Sequence, residues 1–381
     1  MKKIILTAVG AVLICIYFFG YGKFEYDCSV SSPEINENAK IDISIEKDEN
    51  SNTLYITQEL SKNLYIDAEV FVPPQNQYST YSLKMVECDP DRLFNIFCPQ
   101  SYCSYVKEDR GNCIVYHESS GKRLVIYEKD QNVIQYTTYN FNTEDRPMQD
   151  IETLMYYYSL VHPQAAAYDL SFMNVEEMET FGSNIFYQLG ISLEPQLIKC
   201  ITLSGQEILD FQEELFGNNN NGLFMTPTSV TNATDTCYLQ YNFSFDGLPL
   251  FGADEPNVTS YEHFASMQAT ATIMINADGI QSCMVTCPYV IETASDPKPI
   301  INLEKAICLL KEKYDVQILY DSLKYSDIWM EYIPVKREEK VILTPYWCFR
   351  EINEMKENSL NYFGSAERFN AITGKDLNYG G

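Results

Sequence analysis

The chain has 381 residues, 45% of them hydrophobic, enough to bury at least one large core. Acidic residues outnumber basic ones 53 to 27, and the formal charge of −26 gives a surface that repels phosphate backbones and anionic lipid headgroups. Nucleic acid is excluded as a partner on that ground.

Residues 1–22 differ from everything after them. Lys2 and Lys3 precede an uncharged run from Ile4 to Gly22, and two readings stay open. A secretory signal has an apolar region of about 7–15 residues, and Gly20 with Gly22 would form its small-x-small cleavage site. A membrane-spanning helix needs about 17–25 residues. Length favours the retained anchor: a single pass in the cell membrane, positive end inside, with the C-terminal domain extracytoplasmic. Cleavage would instead give a secreted protein. A lipoprotein reading fares worse, because Cys15 follows Ile14 and Cys28 follows Asp27, where a small residue is wanted.

Of 12 cysteines only Cys15 lies in that segment. The odd remainder, without tight periodic spacing, argues against a complete disulfide framework. Cys88, Cys98, Cys103 and Cys113 are near enough in sequence for one or two local bridges. Cys283 and Cys287, four apart on an expected strand, sit about 13 Å from each other, too far to bridge. Zinc is a weaker reading still, since no Cys-x-x-Cys occurs and only His117, His162 and His263 offer imidazole.

Residues 23–61 are polar and acidic and read as a stalk or linker. Within them Asp48, Asn50, Asn52 and Glu59 fall at positions one, three, five and twelve of a calcium-loop pattern. Thr53 replaces the glycine its turn needs and Ile56 fills the ninth place, so the match is assigned to chance.

An N-terminal unit is expected over 62–145. Leu64, Ile66, Ala68, Val70 and Val72 alternate with Tyr65, Asp67, Glu69 and Phe71, the pattern of a half-buried strand. A second run puts Tyr81, Leu83 and Met85 on one face. Asp89 and Pro90 then open a short helix carrying Leu93, Phe94 and Phe97, and three strand-like runs follow, "CIVYH", "RLVIYEK" and "NVIQYTTYNF".

Residues 146–237 read as a helical connecting region. One helix is expected over "DIETLMYYYSL", a second after the cap Asn174 with Glu177, and a third opened by a Ser204–Glu207 capping box. The run from Gly217 to Gly222 is a loop.

The C-terminal unit, 238–381, repeats the first order. "ATATIMI" and "IQSCMVTCPYV" flank an Asn276–Gly279 hairpin turn. Asn302 caps a helix with Leu303, Ala306, Ile307 and Leu310 on one stripe. Strands are expected at "VQILY", "DIWMEYIPV", "KVILTPYWCFR" and "RFNAI", with Trp347 and Phe369 packing on that helix. The fold class is therefore α+β, with two related strand-strand-helix-meander units and an intervening helical segment.

Catalytic machinery is not found, and no catalytic, cofactor-binding or metal-ligating residue is assigned. The sequence holds no Gly-x-Ser-x-Gly, His-Glu-x-x-His, phosphate loop or Gly-x-Gly-x-x-Gly. Ser104 and Lys107 form a Ser-x-x-Lys pair without its companion motifs. His117, His162 and His263 read as surface or capping residues, and carboxylates are too many for any pair to stand out. The 29 tyrosines suit a binding surface, or reflect β-propensity alone.

In the C-terminal unit Gly247 with Pro249, Asp278 with Gly279, Pro345 with Trp347, and Asn370, Ala371, Thr373 with Gly374 form a series of strand ends and turns. As a set these resemble the layout of YycI/YycH-type proteins and PepSY-like domains. The "DAEVFVP" strand at Asp67 to Pro73 makes the whole chain similar to an uncharacterised family of exported bacterial proteins, often lipoproteins. The first resemblance implies a membrane-anchored extracytoplasmic regulator whose partner is a membrane sensor kinase or another envelope protein. The expectation is a non-enzymatic, membrane-tethered binding or regulatory ectodomain in envelope signalling. A cell-wall or glycan-binding module using exposed Tyr and Trp329 is the alternative, and an unrecognised hydrolase the least favoured reading.

Overall fold

A computed structural model describes residues 45–47, 53–97, 105–111, 113–118, 122–127, 133–138, 147–217, 230, 232–251, 269–286, 288–337, 340–352 and 366–377. In chain order the elements run β1 (Ile45–Lys47), β2 (Thr53–Ser61), β3 (Leu64–Phe71), β4 (Gln77–Tyr78), β5 (Tyr81–Met85), α1 (Pro90–Phe97), β6 (Tyr105–Asp109), β7 (Cys113–Glu118), β8 (Arg123–Tyr127) and β9 (Val133–Thr137). Next come α2 (Pro147–Val161), α3 (Val175–Leu189), β10 (Glu194–Leu203), α4 (Gly205–Gly217), β11 (Thr236–Phe245) and β12 (Leu248–Pro249). The chain continues through β13 (Thr270–Asn276), β14 (Gly279–Thr286), β15 (Tyr289–Ala294), β16 (Lys298–Pro299), α5 (Leu303–Asp315), β17 (Leu323–Arg337), β18 (Lys340–Ile352) and β19 (Ala366–Asn370). The class is α+β, as the alternating and helical periodicities imply.

Two large sheets carry the architecture. The first has the order β1-β2-β3-β17-β18-β5-β15, with β19 also on β18; the second runs β10-β11-β13-β14-β9-β8-β7-β6, with β12 on β11. Each sheet thus draws strands from both 62–145 and 238–381, so these segments do not form separate sheets. Pairing is non-local: β3 lies parallel to β17, and β14 lies against β9.

Alternation puts one face of each sheet into a shared core. In the second sheet a cross-strand row runs Cys200, Leu239, Ile273, Cys283, Tyr136, Leu124 and Tyr116. It packs in one cluster with Leu64, Ile66, Val70, Ile328, Met330 and Trp347 of the first sheet, and with α1, α3 and α5. The helix α3 approaches so closely that a Cβ at Gly182 would stand 2.3 Å from the Tyr241 ring. The opposite face of the second sheet, through Ile201, Tyr238 and Met274, is covered by Ile151, Leu154 and Met155 of α2 and Ile208, Phe211 and Leu215 of α4.

Local signals hold at their positions. Asn174 and Glu177 close a capping box on α3, Ser204 and Glu207 do so on α4, and the Asn302 side chain accepts from the Lys305 amide at 2.9 Å. Asn276 pairs with Gly279 in the β13–β14 turn, where Gly279 has φ +100°. Trp347 pairs with Phe369, and both share a core with Ala306, Ile307 and Leu310.

Three expectations are corrected. The polar stalk expected over 23–61 ends earlier: Thr53–Ser61 is β2, paired along β3 with Ile56 and Leu60 buried. Its polar side chains spend themselves across the ladder, as where the Tyr55 hydroxyl donates to Asp67 Oδ1 at 2.6 Å. Glu59 is therefore a strand residue; Asp48, Asn50 and Asn52 lie outside the described residues. Within the helical region 146–237, Glu194–Leu203 forms the long strand β10, because β11 supplies a partner. "VQILY" is not a strand: Val316 caps α5, and Val316, Ile318 and Tyr320 are exposed, while the Asn63 side-chain amide donates to the Leu319 carbonyl at 2.9 Å.

Candidate functional site

The outer face of the first sheet carries charges that β17, β18 and β19 bring side by side. A bulge between Tyr325 and Asp327 resets the phase of β17. Tyr325 and then Ile328, Met330 and Tyr332 face the shared core, whereas Trp329, Glu331 and Ile333 face outward. Register then places Trp329 opposite Cys348, Cys348 opposite Arg368, and Asp327 opposite Arg350.

Glu331 and Arg368 are only 5% and 4% exposed, and Arg368 Nε donates to Glu331 Oε1 at 3.1 Å. The same oxygen accepts from Cys348 Sγ at 3.2 Å, and Oε2 accepts from Trp329 Nε1 at 3.2 Å. Arg368 also donates to the Ala366 carbonyl, and its guanidinium lies 4.9 Å from the centre of the Phe251 ring. Every charge taken out of water here is therefore compensated by a partner of fixed geometry. Closer to solvent, the Arg350 guanidinium stands 4.9 Å from the centre of the Trp329 ring, with its Nη1 3.9 Å from Asp327 Oδ2.

These side chains floor a cleft of about 420 Å³, within the size range of small-ligand pockets. One wall is the end of β3 and the loop after it, Phe71 to Pro74; the other is the β11–β12 turn and Leu248 to Phe251. The walls are tied together. Gln75 donates to Asp246 Oδ1 at 3.0 Å, the Tyr81 hydroxyl donates to its other oxygen at 3.2 Å, and Phe251 N donates to the Tyr332 carbonyl at 2.8 Å. Gly247 is required in this turn, with φ +76° and Pro74 Cγ 2.9 Å from where a Cβ would stand. Phe71 and Val72 are about half exposed at the rim, and Asn242 lines the cleft with a buried Oδ1 that has no hydrogen-bond partner among the described residues. A second cavity, about 790 Å³, opens on the other side of the Pro73–Pro74 loop against Leu54, Ile300 and Trp347.

The residues weighed from sequence fall elsewhere, with one exception. His117 lies on β7 with Nε2 3.3 Å from Glu108, a carboxylate held below its usual range first by Arg110 and also by His117. His162 follows α2, its ring 4.4 Å from that of Tyr158 and 5.8 Å from that of Phe211. Lys107 is exposed on the edge strand β6; Ser104, His263, Cys98, Cys103 and Cys287 lie outside the described residues. Among the described residues Cys113 is a free thiol, and no cluster of metal-ligating side chains is present. No described helix is long and apolar enough to cross a membrane, and residues 1–22 are not among those described. The exception is Trp329, which stands in the cleft. The sequence singles out none of Glu331, Arg350 and Arg368; the signal it offers is a pair of opposite charges on the strands "DIWMEYIPV" and "RFNAI".

No family model matches the chain, and no curated protein matches it. Among solved structures it is similar to the crystal structure of an uncharacterized protein from Eubacterium rectale, at 14% identity and a TM-score of 0.51, with 84% of this chain and 92% of that one covered. That likeness extends to the fold.

Proposed function

We propose that this chain is a non-enzymatic, membrane-tethered extracytoplasmic binding module, a regulatory ectodomain of envelope signalling whose recognition site is the Trp329–Arg350 cleft. Its partner is a membrane sensor kinase or another envelope protein. The observation that carries the reading is the preassembled floor: Glu331 holds Trp329, Cys348 and Arg368, and Arg350 rests on the Trp329 ring. Such locked side chains lose little entropy on binding. Binding is favoured over turnover because Glu331 spends both carboxylate oxygens on its neighbours. A protein ligand is favoured over a glycan, since a sugar-binding platform needs an open aromatic face and Arg350 stacks on that of Trp329.

The test places a photoreactive benzoylphenylalanine at Phe71 in the full chain in its native membrane. One envelope protein should crosslink, and Arg350→Gln should abolish it. Capture of wall glycan in its place, or hydrolytic turnover by the purified protein that Glu331→Gln removes, would overturn the proposal.

A further inference from the structure

Three features of the cleft specify what would fit it. The first is Arg350. Its nearest carboxylate, Asp327 Oδ2, is 3.9 Å away, close enough for attraction and too far for a hydrogen bond. Among the described residues its N–H groups therefore meet no acceptor, while the guanidinium is held over the Trp329 ring. An oriented guanidinium with free donors is built for the two oxygens of a carboxylate. The second is Asn242 Oδ1, a buried acceptor without a donor in a cleft where every other buried polar group is paired. An acceptor left dry is costly, and a ligand N–H would satisfy it. The third is the wall, where Phe71, Val72 and Pro249 present apolar surface.

We propose that the cleft takes the C-terminus of a peptide: the terminal carboxylate on Arg350, the last amide N–H on Asn242 Oδ1, and an apolar last side chain against Phe71 and Pro249. A volume of about 420 Å³ accommodates about two residues of such a chain. An acidic sugar shares the carboxylate, but it has no use for the apolar wall, and the ring face it would stack on carries Arg350. The inference rests on the cleft being the binding site and adds the chemistry of what enters it.

The probe is the tripeptide acetyl-Ala-Ala-Leu, as free acid and as C-terminal amide, titrated into the purified chain and followed by tryptophan fluorescence and calorimetry. The free acid should saturate, and the amide should bind at least about 10-fold more weakly, the cost of one charge-assisted contact. Arg350→Gln should lose the same factor with the acid and be indifferent to amidation, while Arg350→Lys recovers part of it. Asn242→Leu, whose melting curve reports folding separately, should weaken acid and amide alike. Equal affinity for acid and amide would overturn the proposal, as would tighter binding of glucuronate than of the peptide, or no saturation by either peptide. If the peptides fail while crosslinking at Phe71 still depends on Arg350, the binding site stands and only its assignment to a peptide terminus falls.

Discussion

Replacing Glu331 by Leu removes a carboxylate that is 5% exposed and takes from the Arg368 guanidinium, 4% exposed, its ion-pair partner at 3.1 Å. Breaking a buried ion pair by removing one partner costs about 3–5 kcal/mol. Arg368→Met strands Glu331 in turn, but with the Trp329 and Cys348 donors still in place, so its cost belongs at the lower end of that range. The double variant removes both charges and leaves apolar side chains beside Phe251, Ile333 and Cys348. Its stability should lie within about 1 kcal/mol of the parent chain or exceed it. The three variants and the parent form a cycle read by urea unfolding, with equal m-values as the condition for comparing them. The expected coupling is about 3 kcal/mol or more, against a total stability of about 5–15. Single variants costing under about 1 kcal/mol would show that water reaches the pair; additive costs would show that each side chain matters for its packing and the pairing for nothing.

The closing strand and the helix behind it give two further expectations. Phe369→Ala empties a site 2% exposed, between Trp347 on β18 and the edge of the Phe349 ring, 5.9 Å away, and should cost about 3–5 kcal/mol in urea unfolding. Removal of residues 366–381 should abolish cooperative melting, and a truncated chain that melts like the parent would refute a core role for β19. Lys313 is bound by Glu367 and by Asp376, the latter at 2.8 Å. Burial lowers its pKa, but the hydrogen bonds and charges of Asp376 and Glu367 outweigh this, and the net shift is upward. Raised above its unfolded value, the group contributes stability in full below about pH 10.4 and loses it as pH climbs through the folded pKa. The difference in stability between parent and Lys313→Met should therefore be flat from pH 7 to about 10 and shrink above; a difference that shrinks on acidification would reverse the sign and refute it.

Features set by a few neighbouring residues were legible in the sequence. The Asn174, Ser204 and Asn302 caps, the Asn276–Gly279 turn and the alternation of β3 depend on partners within four positions or on a period of two. Partner strands were not legible. Residues 53–61 looked like a stalk because their outward side chains are polar, and only the β3 ladder makes them a strand. β10 waited in the same way for β11, and "VQILY", with the composition of a strand, has no ladder to join. The cleft was hidden for a related reason: Glu331 and Arg368 are 37 positions apart, and only the order β17-β18-β19 brings them together. In a chain with 53 acidic residues no single carboxylate stands out; the informative fact is an acidic side chain between Trp329 and Ile333, its apolar neighbours on the outer face of the strand.

The strand β19 contributes to both faces of the first sheet. Its alternation sends Phe369 into the shared core and Arg368 to the outer face, so one five-residue strand serves both the packing of the sheet and the floor of the cleft. Asn370 then ends it: its Oδ1 accepts from the amides of Ile372 and Thr373 at 2.9 and 2.8 Å, and Gly374, at φ +73°, turns the chain back so that its amide donates to the Asn370 carbonyl. The Thr-Gly ending is thus a stop that fixes where β19 lies along β18. Register matters here more than affinity for the core. A slip of one residue would exchange Phe369 and Arg368, burying the charge among Trp347 and Ile307 and stripping Glu331 of its partner. The buried ion pair and the buried aromatic each forbid that slip. A charge pair of small net worth to stability earns its place in this sheet by admitting only one alignment of the strand that completes the site.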